Sequence, residues 1–231
     1  MKKIIFALMF VIVCTGSASC TEYPAIGICS ANYVRYRDEA GTDSEILGRI
    51  HEHQNVIVLS EARHKGEKWY MIENPVDEGE AWVSAKYIYI YEPEDALKKR
   101  LYALKVSIMQ NFGIRPEKTR VLLGKPKRVK KDKFYFEPAE QNIREETLQY
   151  EGCRLVYIED ALSTVEVTNE DYAFGDLHVG DTRQIVLDTL GTPEADNPDL
   201  WLYRLNDLEM INFEFNKDDR IKQMTLEHNL D

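Results

Sequence analysis

A fourteen-residue segment occurs twice in this chain without a gap, with the same frame but the opposite charge. LGKPKRVKKDKFYF spans residues 123–136, and LGTPEADNPDLWLY spans residues 190–203. Both begin with leucine, glycine and proline and end with two aromatic residues, while the stretch between changes from basic to acidic. A frame that is kept while the residues inside it reverse charge predicts a structural repeat that carries a variable surface segment.

The residues around each segment predict what the frame does. A helical pattern precedes it, glycine is typical of a helix end, and the proline two residues later prevents the helix from continuing. Aromatic residues eight and ten positions after the proline then predict the first strand of a sheet packed on that helix. We therefore predict two copies of a helix followed by antiparallel strands, at about 94–168 and 170–231. The first copy has eight extra residues, which we place in the hairpin tip EPAEQNIREE.

A longer amphipathic helix is predicted ahead of the first copy. The stretch PEDALKKRLYALKVSIMQNFG begins with acidic residues after Pro93 and ends at Gly113. RPEKTRVLL then predicts a short second helix, with Pro116 near its first turn. The positions that would form the apolar stripe of the first helix are Leu97, Leu101, Leu104 and Ile108.

Residues 23–91 have a different pattern, typical of short strands. GEKWYMIENPVDEGEAWVSAKYIYIY alternates side chains over runs rich in Trp, Tyr, Ile and Val, and the turn-forming NPVDEG interrupts it. With NYVRYR, EILGRI and NVIVLS upstream, the segment is predicted to hold about five short strands. A small closed barrel would remove the exposed edges of such a sheet.

This segment resembles the bacterial SH3-like family in YVR, the polar loop DEAGTDSE, ILGRI, the tryptophan of GEKWYMI, and AWVSAKYI. In that family a groove lined by aromatic side chains holds the ligand. The resemblance implies Trp69 and Tyr87 for the groove, with Tyr36 and Trp82 as further candidates. Flat rings give a large contact area at low entropic cost, which suits a peptide or a sugar-peptide. The alternative is that Trp69 and Trp82 belong to the core.

The two copies in residues 94–231 also carry a resemblance. A helical stretch, LGxP, the W-x-Y strand of the second copy and two further strands resemble the small lipoprotein of the outer-membrane assembly machinery. The duplicated form resembles the β-lactamase inhibitory proteins. The resemblance implies a protein-binding platform on an α+β scaffold, and we expect the loops after the two LGxP motifs to be its contacts.

The first twenty residues are predicted to be an export signal. Lys2 and Lys3 precede an apolar run, residues 4–13, which is too short to span a membrane. The small residues before Cys20 resemble a bacterial lipoprotein box, in which Cys20 becomes the lipidated first residue. Ordinary cleavage near Ala18 is the alternative. We expect an exported lipoprotein, anchored to a membrane of the cell envelope and facing the periplasm.

The charge of the chain is acidic but uneven. The net charge is −11, and about −13 once the two lysines of the leader are removed, which opposes nonspecific binding to nucleic acid. Basic residues nevertheless concentrate between residues 98 and 133. A solvated surface, contact with anionic lipid and contact with an acidic protein remain open for the basic loop. The loop carries Lys127, Arg128, Lys130 and Lys131.

No residue of this chain is predicted to be catalytic, and no metal or cofactor is expected. Cys29 and Cys153 are predicted to be lone buried side chains in strands, with one disulfide as the alternative. His51 and His53 have the spacing of a metal pair but lack a third ligand, which favours solvated turn histidines. A wall hydrolase is the distant alternative, because SH3-like modules often accompany Cys-His peptidases. Cys153, however, does not begin a helix, where such a nucleophile usually lies.

These patterns together predict a mainly β and α+β protein. An SH3-like β-barrel over residues 23–91 would precede a duplicated helix plus antiparallel-sheet domain over residues 94–231. We expect a noncatalytic adaptor of the cell envelope whose barrel binds peptidoglycan or a peptide. The alternative is a protein-docking or inhibitor-like protein that acts through the tandem domain on an envelope protein. Nucleic acid is not an expected partner.

Overall fold

Two large antiparallel sheets, one two-stranded hairpin and three α-helices make up the described part of the computed structural model, which covers residues 21–93, 95–137 and 140–228. The prediction of a mainly β protein with antiparallel sheets is confirmed. The predicted export signal, including Cys20, lies outside the described residues.

The N-terminal sheet is open, where the sequence predicted a closed barrel. Its strands lie in the order β3-β2-β6-β5-β4-β1-β7, and among the described residues no pairing of β3 with β7 closes it. The long strand β4 pairs with β1 and then with β5, with a bulge between Val58 and Ser60 that bends the sheet. The seven strands are β1 (Ala25–Cys29), β2 (Val34–Arg37), β3 (Ile46–Ile50), β4 (Asn55–His64), β5 (Glu67–Glu73), β6 (Glu80–Ser84) and β7 (Ile88–Ile90).

The predicted long helix is confirmed as α1 (Ala96–Phe112), and both sheets pack on it. Asp95 caps its start, because its carboxylate accepts a hydrogen bond from the backbone N–H of Lys98 at 2.7 Å. The side that packs on the C-terminal sheet carries Leu101, Leu104, Ile108 and Phe112. The side that packs on Ile26 and Ile57 of the N-terminal sheet carries Val106 and Met109.

The C-terminal sheet has eight strands in the order β14-β15-β16-β17-β11-β10-β9-β8, so β14 and β8 are its two edges. Two short helices accompany it, α2 (Pro116–Leu123) and α3 (Arg183–Leu190), and both confirm predicted helices. The strands are β8 (Arg128–Phe136), β9 (Gln141–Tyr150), β10 (Cys153–Ile158), β11 (Ala161–Val167), β14 (Ala195–Asn197), β15 (Leu200–Arg204), β16 (Glu209–Phe215) and β17 (Ile221–His228). The hairpin is β12 (Ala173–Phe174) with β13 (Leu177–His178).

The two LGxP segments end α2 and α3 in the same way. Gly124 and Gly191 follow the helices with φ of 75° and 90°, a conformation that glycine adopts without strain. The Tyr150 hydroxyl donates a hydrogen bond to the carbonyl of Gly124 at 3.0 Å, and the Tyr203 hydroxyl donates one to the carbonyl of Gly191 at 2.7 Å. The sequence repeat is therefore matched by a repeated contact between a helix end and a strand.

The gapless alignment of the closing aromatic pairs is wrong. Trp201 and Tyr203 lie in β15, but Phe134 and Phe136 lie at the far end of β8, and Tyr150 of β9 takes the place of Tyr203. The cause is the longer hairpin that follows the first LGxP segment, in which β8 has nine residues where β14 has three. Its tip falls within EPAEQNIREE, where the extra residues were predicted.

Candidate functional site

Two of the four aromatic side chains predicted to line a groove on the N-terminal sheet are buried. Trp69 and Tyr36 are only 2% and 3% exposed, whereas Trp82 and Tyr87 are half-buried. A buried ring offers no face to a ligand, so this structure gives no support to the prediction that Trp69 and Tyr36 bind one. The physical reason is that the consecutive residues Trp69 and Tyr70 are both buried, which shows that both faces of β5 are covered at this point.

The basic residues predicted to lie in a surface loop instead lie along an edge strand. Lys127 precedes β8, and Arg128, Lys130 and Lys131 are part of it. Lysines on an exposed edge discourage pairing with another edge, which explains why a strand tolerates so much charge. The ion pairs they make are Lys127 with Glu151, Lys130 with Asp132 and Lys131 with Glu146.

The two cysteines are free and buried, as predicted. Burial, with a smaller contribution from the charge of Glu166, raises the pKa of the Cys153 thiol to about 12. A thiol with such a pKa is a poor nucleophile at neutral pH. His51 and His53 lie exposed at the turn before β4, and the described ranges contain no group of three or more His, Cys, Asp or Glu that could hold a metal ion.

The C-terminal sheet has one face covered by helices and one open face. In β16, Ile211, Phe213 and Phe215 are buried against the helix side, and the alternate residues are half-buried on the other side. Residues that lie opposite each other on antiparallel neighbours share a face. One continuous row on the open face therefore crosses all eight strands, and it consists of Ala195, Leu202, Asn212, Thr225, Glu166, Arg154, Gln149 and Arg128.

The open face carries a depression whose lining is mainly negative. A depression of about 560 Å³ is lined by residues of β8, β9, β10, β11, β15, β16 and β17. A concave surface with one dominant sign of charge concentrates its electrostatic field. The charged lining consists of one guanidinium, from Arg154, and four carboxylates, from Glu145, Glu166, Glu214 and Glu227.

Most of the charges on this face already have partners within it or at its rim. The Nη2 of Arg154 donates to Glu166 at 2.7 Å, and Lys222 pairs with Glu214 at 3.0 Å. Glu227 makes no ion pair within the described part of the chain. The side-chain oxygen of Asn212 is buried and has no hydrogen-bond partner among the described residues. That oxygen is enclosed and out of reach of a partner, so the unpaired carboxylate of Glu227 is what favours a partner that brings positive charge.

The sequence predicted a docking surface on this domain but placed the contacts in the loops after LGxP. The signal for the open face was present, because EMINFEF alternates apolar residues with Glu, Asn and Met. What the pattern could not supply was the order of the strands. The row is continuous only because β11 pairs with β17. This pairing joins strands β8–β11 to strands β14–β17 in one sheet.

The chain has only low similarity to known proteins. No known family profile and no curated protein matches the chain. An extracellular protein containing a SCP domain from Bacillus anthracis is similar over 60% of this chain and 48% of its own length, with 10% identity and a TM-score of 0.37. A DUF4309 family protein from Bacillus subtilis is similar over 58% of this chain and 96% of its own, with 11% identity and a TM-score of 0.31. The chain thus spans about half the length of the first protein, and likeness at this level assigns neither fold nor function.

None of the helices in the described ranges is long and apolar enough to cross a membrane.

Proposed function

We propose that the protein is a noncatalytic docking protein, and that the open face of its C-terminal sheet binds another protein. The observation that carries this proposal is the row of side chains that crosses all eight strands on the face that carries the depression. Eight strands at the usual spacing give a width of roughly 34 Å. A face of that width suits a protein–protein interface of standard size, which buries about 800 Å² on each partner.

The charge of the face defines the chemistry of the partner. Glu145 and Glu227 line the depression and make no ion pair in the described chain. Lys and Arg supply both the positive charge and the donors that these two groups lack. We therefore propose a folded partner with a projecting loop rich in Lys or Arg, which would enter the depression. Complementary charge of this kind sets specificity and association rate.

We also propose that the N-terminal sheet is an SH3-like domain and that the C-terminal sheet belongs to a duplicated domain. An SH3-like N-terminal domain is supported by the single bent sheet of short strands and by the 3-10 turn Ala85–Tyr87 that leads into β7. A duplicated C-terminal domain is supported by the matching contacts of Tyr150 with Gly124 and of Tyr203 with Gly191. The two proposed halves, β8–β11 and β14–β17, meet at the pairing of β11 with β17.

Binding of peptidoglycan or a peptide by the N-terminal domain is the weaker alternative. Trp69 and Tyr36 are buried, so this alternative depends on the half-buried rings of Trp82 and Tyr87. The same structure gives the proposed absence of catalysis its physical support, because the Cys153 thiol is buried and its pKa is raised.

Site-specific photocrosslinking in intact cells tests the docking face. A photoreactive amino acid at Thr225, in the middle of the row, is expected to give an adduct of one defined mass. The same amino acid at Gln184, which is exposed on α3 at the helix side, is the matched control and should give none. Adducts of equal yield from both positions, or none from Thr225, would contradict the proposal.

Charge reversal on the same face should abolish that adduct. Glu145→Lys with Glu227→Lys is expected to lower its yield by about tenfold or more, because each reversal replaces an attraction for a basic loop with a repulsion. Glu39→Lys with Glu78→Lys changes the net charge equally, at exposed positions of the N-terminal domain, and should leave the yield unchanged. An equal loss in both double variants would show that net charge alone, and not this face, matters.

We further propose that the protein is exported to the cell envelope, where it is held by a lipid on Cys20. The support is the sequence alone: a short apolar run after two lysines, then small residues before the cysteine. Cys20→Ser is expected to abolish incorporation of labelled palmitate and to move the protein from the detergent phase to the aqueous phase in Triton X-114 partitioning. Retention of the label in the variant would refute lipidation at this position.

A further inference from the structure

The charge-reversed segments lie at opposite edges of the same sheet. The basic segment contains β8, and the acidic segment contains β14. We propose that copies of this protein associate head to tail, with the basic edge of one copy against the acidic edge of the next. This contact uses the two edge strands of the sheet and does not require the partner proposed for the docking face.

The two edges have complementary charge. The basic segment, residues 123–136, holds six Lys and Arg and one Asp, while the acidic segment, residues 190–203, holds three carboxylates and no basic residue. Asp196 and Asp199 are exposed and make no ion pair within the described ranges. Arg128, at the start of β8, is also exposed and makes none there. Each edge therefore keeps charge that its own molecule does not neutralise.

The directions of the two edge strands suit the same contact. Every neighbouring pair in the sheet is antiparallel, and seven steps lead from β14 to β8, so these two strands run in opposite directions. A second copy shifted sideways in the plane of the sheet therefore sets its β14 antiparallel to the β8 of the first. This is the orientation that every strand in the sheet already shares with its neighbours.

Charge excludes the other two ways of joining edges. Two β8 strands would place Lys130 and Lys133 against the lysines of another copy, and two β14 strands would place carboxylates against carboxylates. Like charges opposite each other across a strand pair are destabilising. The lysines of β8 therefore disfavour contact with a second β8 edge but allow contact with an acidic β14 edge. The reversal of charge between the two segments would thus determine which edges can join.

The proposed contact has a definite consequence for assembly. A head-to-tail contact leaves one basic and one acidic edge free at the ends, so association is open-ended and does not stop at a dimer. Because β14 has only three residues, charged side chains and not strand pairing supply most of the attraction. The association should therefore be weak and sensitive to salt.

Sedimentation velocity of residues 21–231, which retain every described helix and strand, provides the test. At about 20 mM NaCl the weight-average sedimentation coefficient is expected to rise continuously with protein concentration, and at about 0.5 M NaCl it should stay at the monomer value. A coefficient that is independent of concentration at low salt would overturn the proposal. So would a dimer that does not grow further.

Edge variants separate this contact from general charge effects. Lys130→Glu with Lys133→Glu leaves strand β8 with two basic and three acidic residues, and Asp196→Lys with Asp199→Lys leaves residues 195–199 with two lysines and no carboxylate. Each variant should give a monomer, because its two edge strands then carry the same sign. An equimolar mixture of the two should associate again, since every joint in it is complementary. The control Lys65→Glu with Lys86→Glu has the charge change of the first variant at exposed positions outside the C-terminal sheet and should associate like the unmodified protein. A mixture that stays monomeric, with both variants folded by circular dichroism, would refute the contact.

Discussion

Lys105→Ala is expected to lower the free energy of unfolding by about 3–5 kcal/mol, because it leaves a buried carboxylate without its cation. The Nζ of Lys105 lies 2.5 and 2.7 Å from the two oxygens of Glu209, and the two residues are only 5% and 8% exposed. They join α1 to β16 on the covered side of the C-terminal sheet. Urea unfolding followed by circular dichroism measures the difference, provided that the dependence on urea is unchanged.

The same carboxylate fixes how stability should depend on pH. Burial alone would raise the pKa of Glu209, but hydrogen bonds from His228, Lys105 and Asn206, and the charge of Lys105, outweigh it and hold that pKa at about 2, below the ordinary 4.5. Between these values the unfolded chain binds more protons than the folded one. The stabilisation is therefore complete above about pH 5 and is lost as the pH falls towards 2.

A double variant controls for the loss of packing at Lys105. Lys105→Met with Glu209→Leu removes both charges and keeps similar volume, and such replacements of buried pairs are often neutral or stabilising. It should recover most of the stability that Lys105→Ala loses and should weaken the dependence on pH below 5. A loss of less than about 1 kcal/mol in the single variant is typical of an exposed ion pair and would contradict the buried one.

Trp69→Ala is expected to cost about 3–5 kcal/mol of folding stability, as truncation of a buried aromatic residue usually does. Trp69 is 2% exposed and lies in β5 between β4 and β6. Thermal unfolding monitored by circular dichroism would show a large fall in the midpoint. Any ligand binding by the N-terminal domain should be lost only together with its fold.

Trp82→Ala is the matched control for this prediction. Trp82 is half-buried, and its neighbours Ala81 and Val83 fill the interior of β6 in its place. Its truncation should cost clearly less, about 1 kcal/mol, as is usual for substitutions at partly exposed positions. Equal stability of the two variants would mean that Trp69 is not a core residue.

Local signals in the sequence predicted the helices well, since a helix end depends on neighbouring residues. Three kinds of local signal set the helix bounds: the acidic residues before α1, its apolar stripe, and the glycines after α2 and α3. Each of them affects only the conformation of residues a few positions away. Trp69 could not be placed in the same way, because its burial depends on what covers both faces of β5. The alternation of one strand specifies one face only.

The open face of the C-terminal sheet shows the limit of sequence patterns most clearly. Strands such as β16 show their own alternation in the sequence, but the row from Leu202 to Arg128 depends on register across the whole sheet. Register between strands distant in the chain is set by tertiary packing. The reversal of charge between the two LGxP segments was visible from the start, whereas its placement at opposite edges required the strand order.

The most direct test of where this protein binds its partner compares photocrosslinking from Thr225 with photocrosslinking from Trp82 under identical conditions. Thr225 lies on the open face of the C-terminal sheet, whereas Trp82 lies in the N-terminal sheet and its ring is partly exposed to solvent. Docking on the open face predicts a protein adduct of defined mass from Thr225 and none from Trp82. An adduct, or attachment to peptidoglycan, from Trp82 with no adduct from Thr225 would contradict it and place binding in the N-terminal domain.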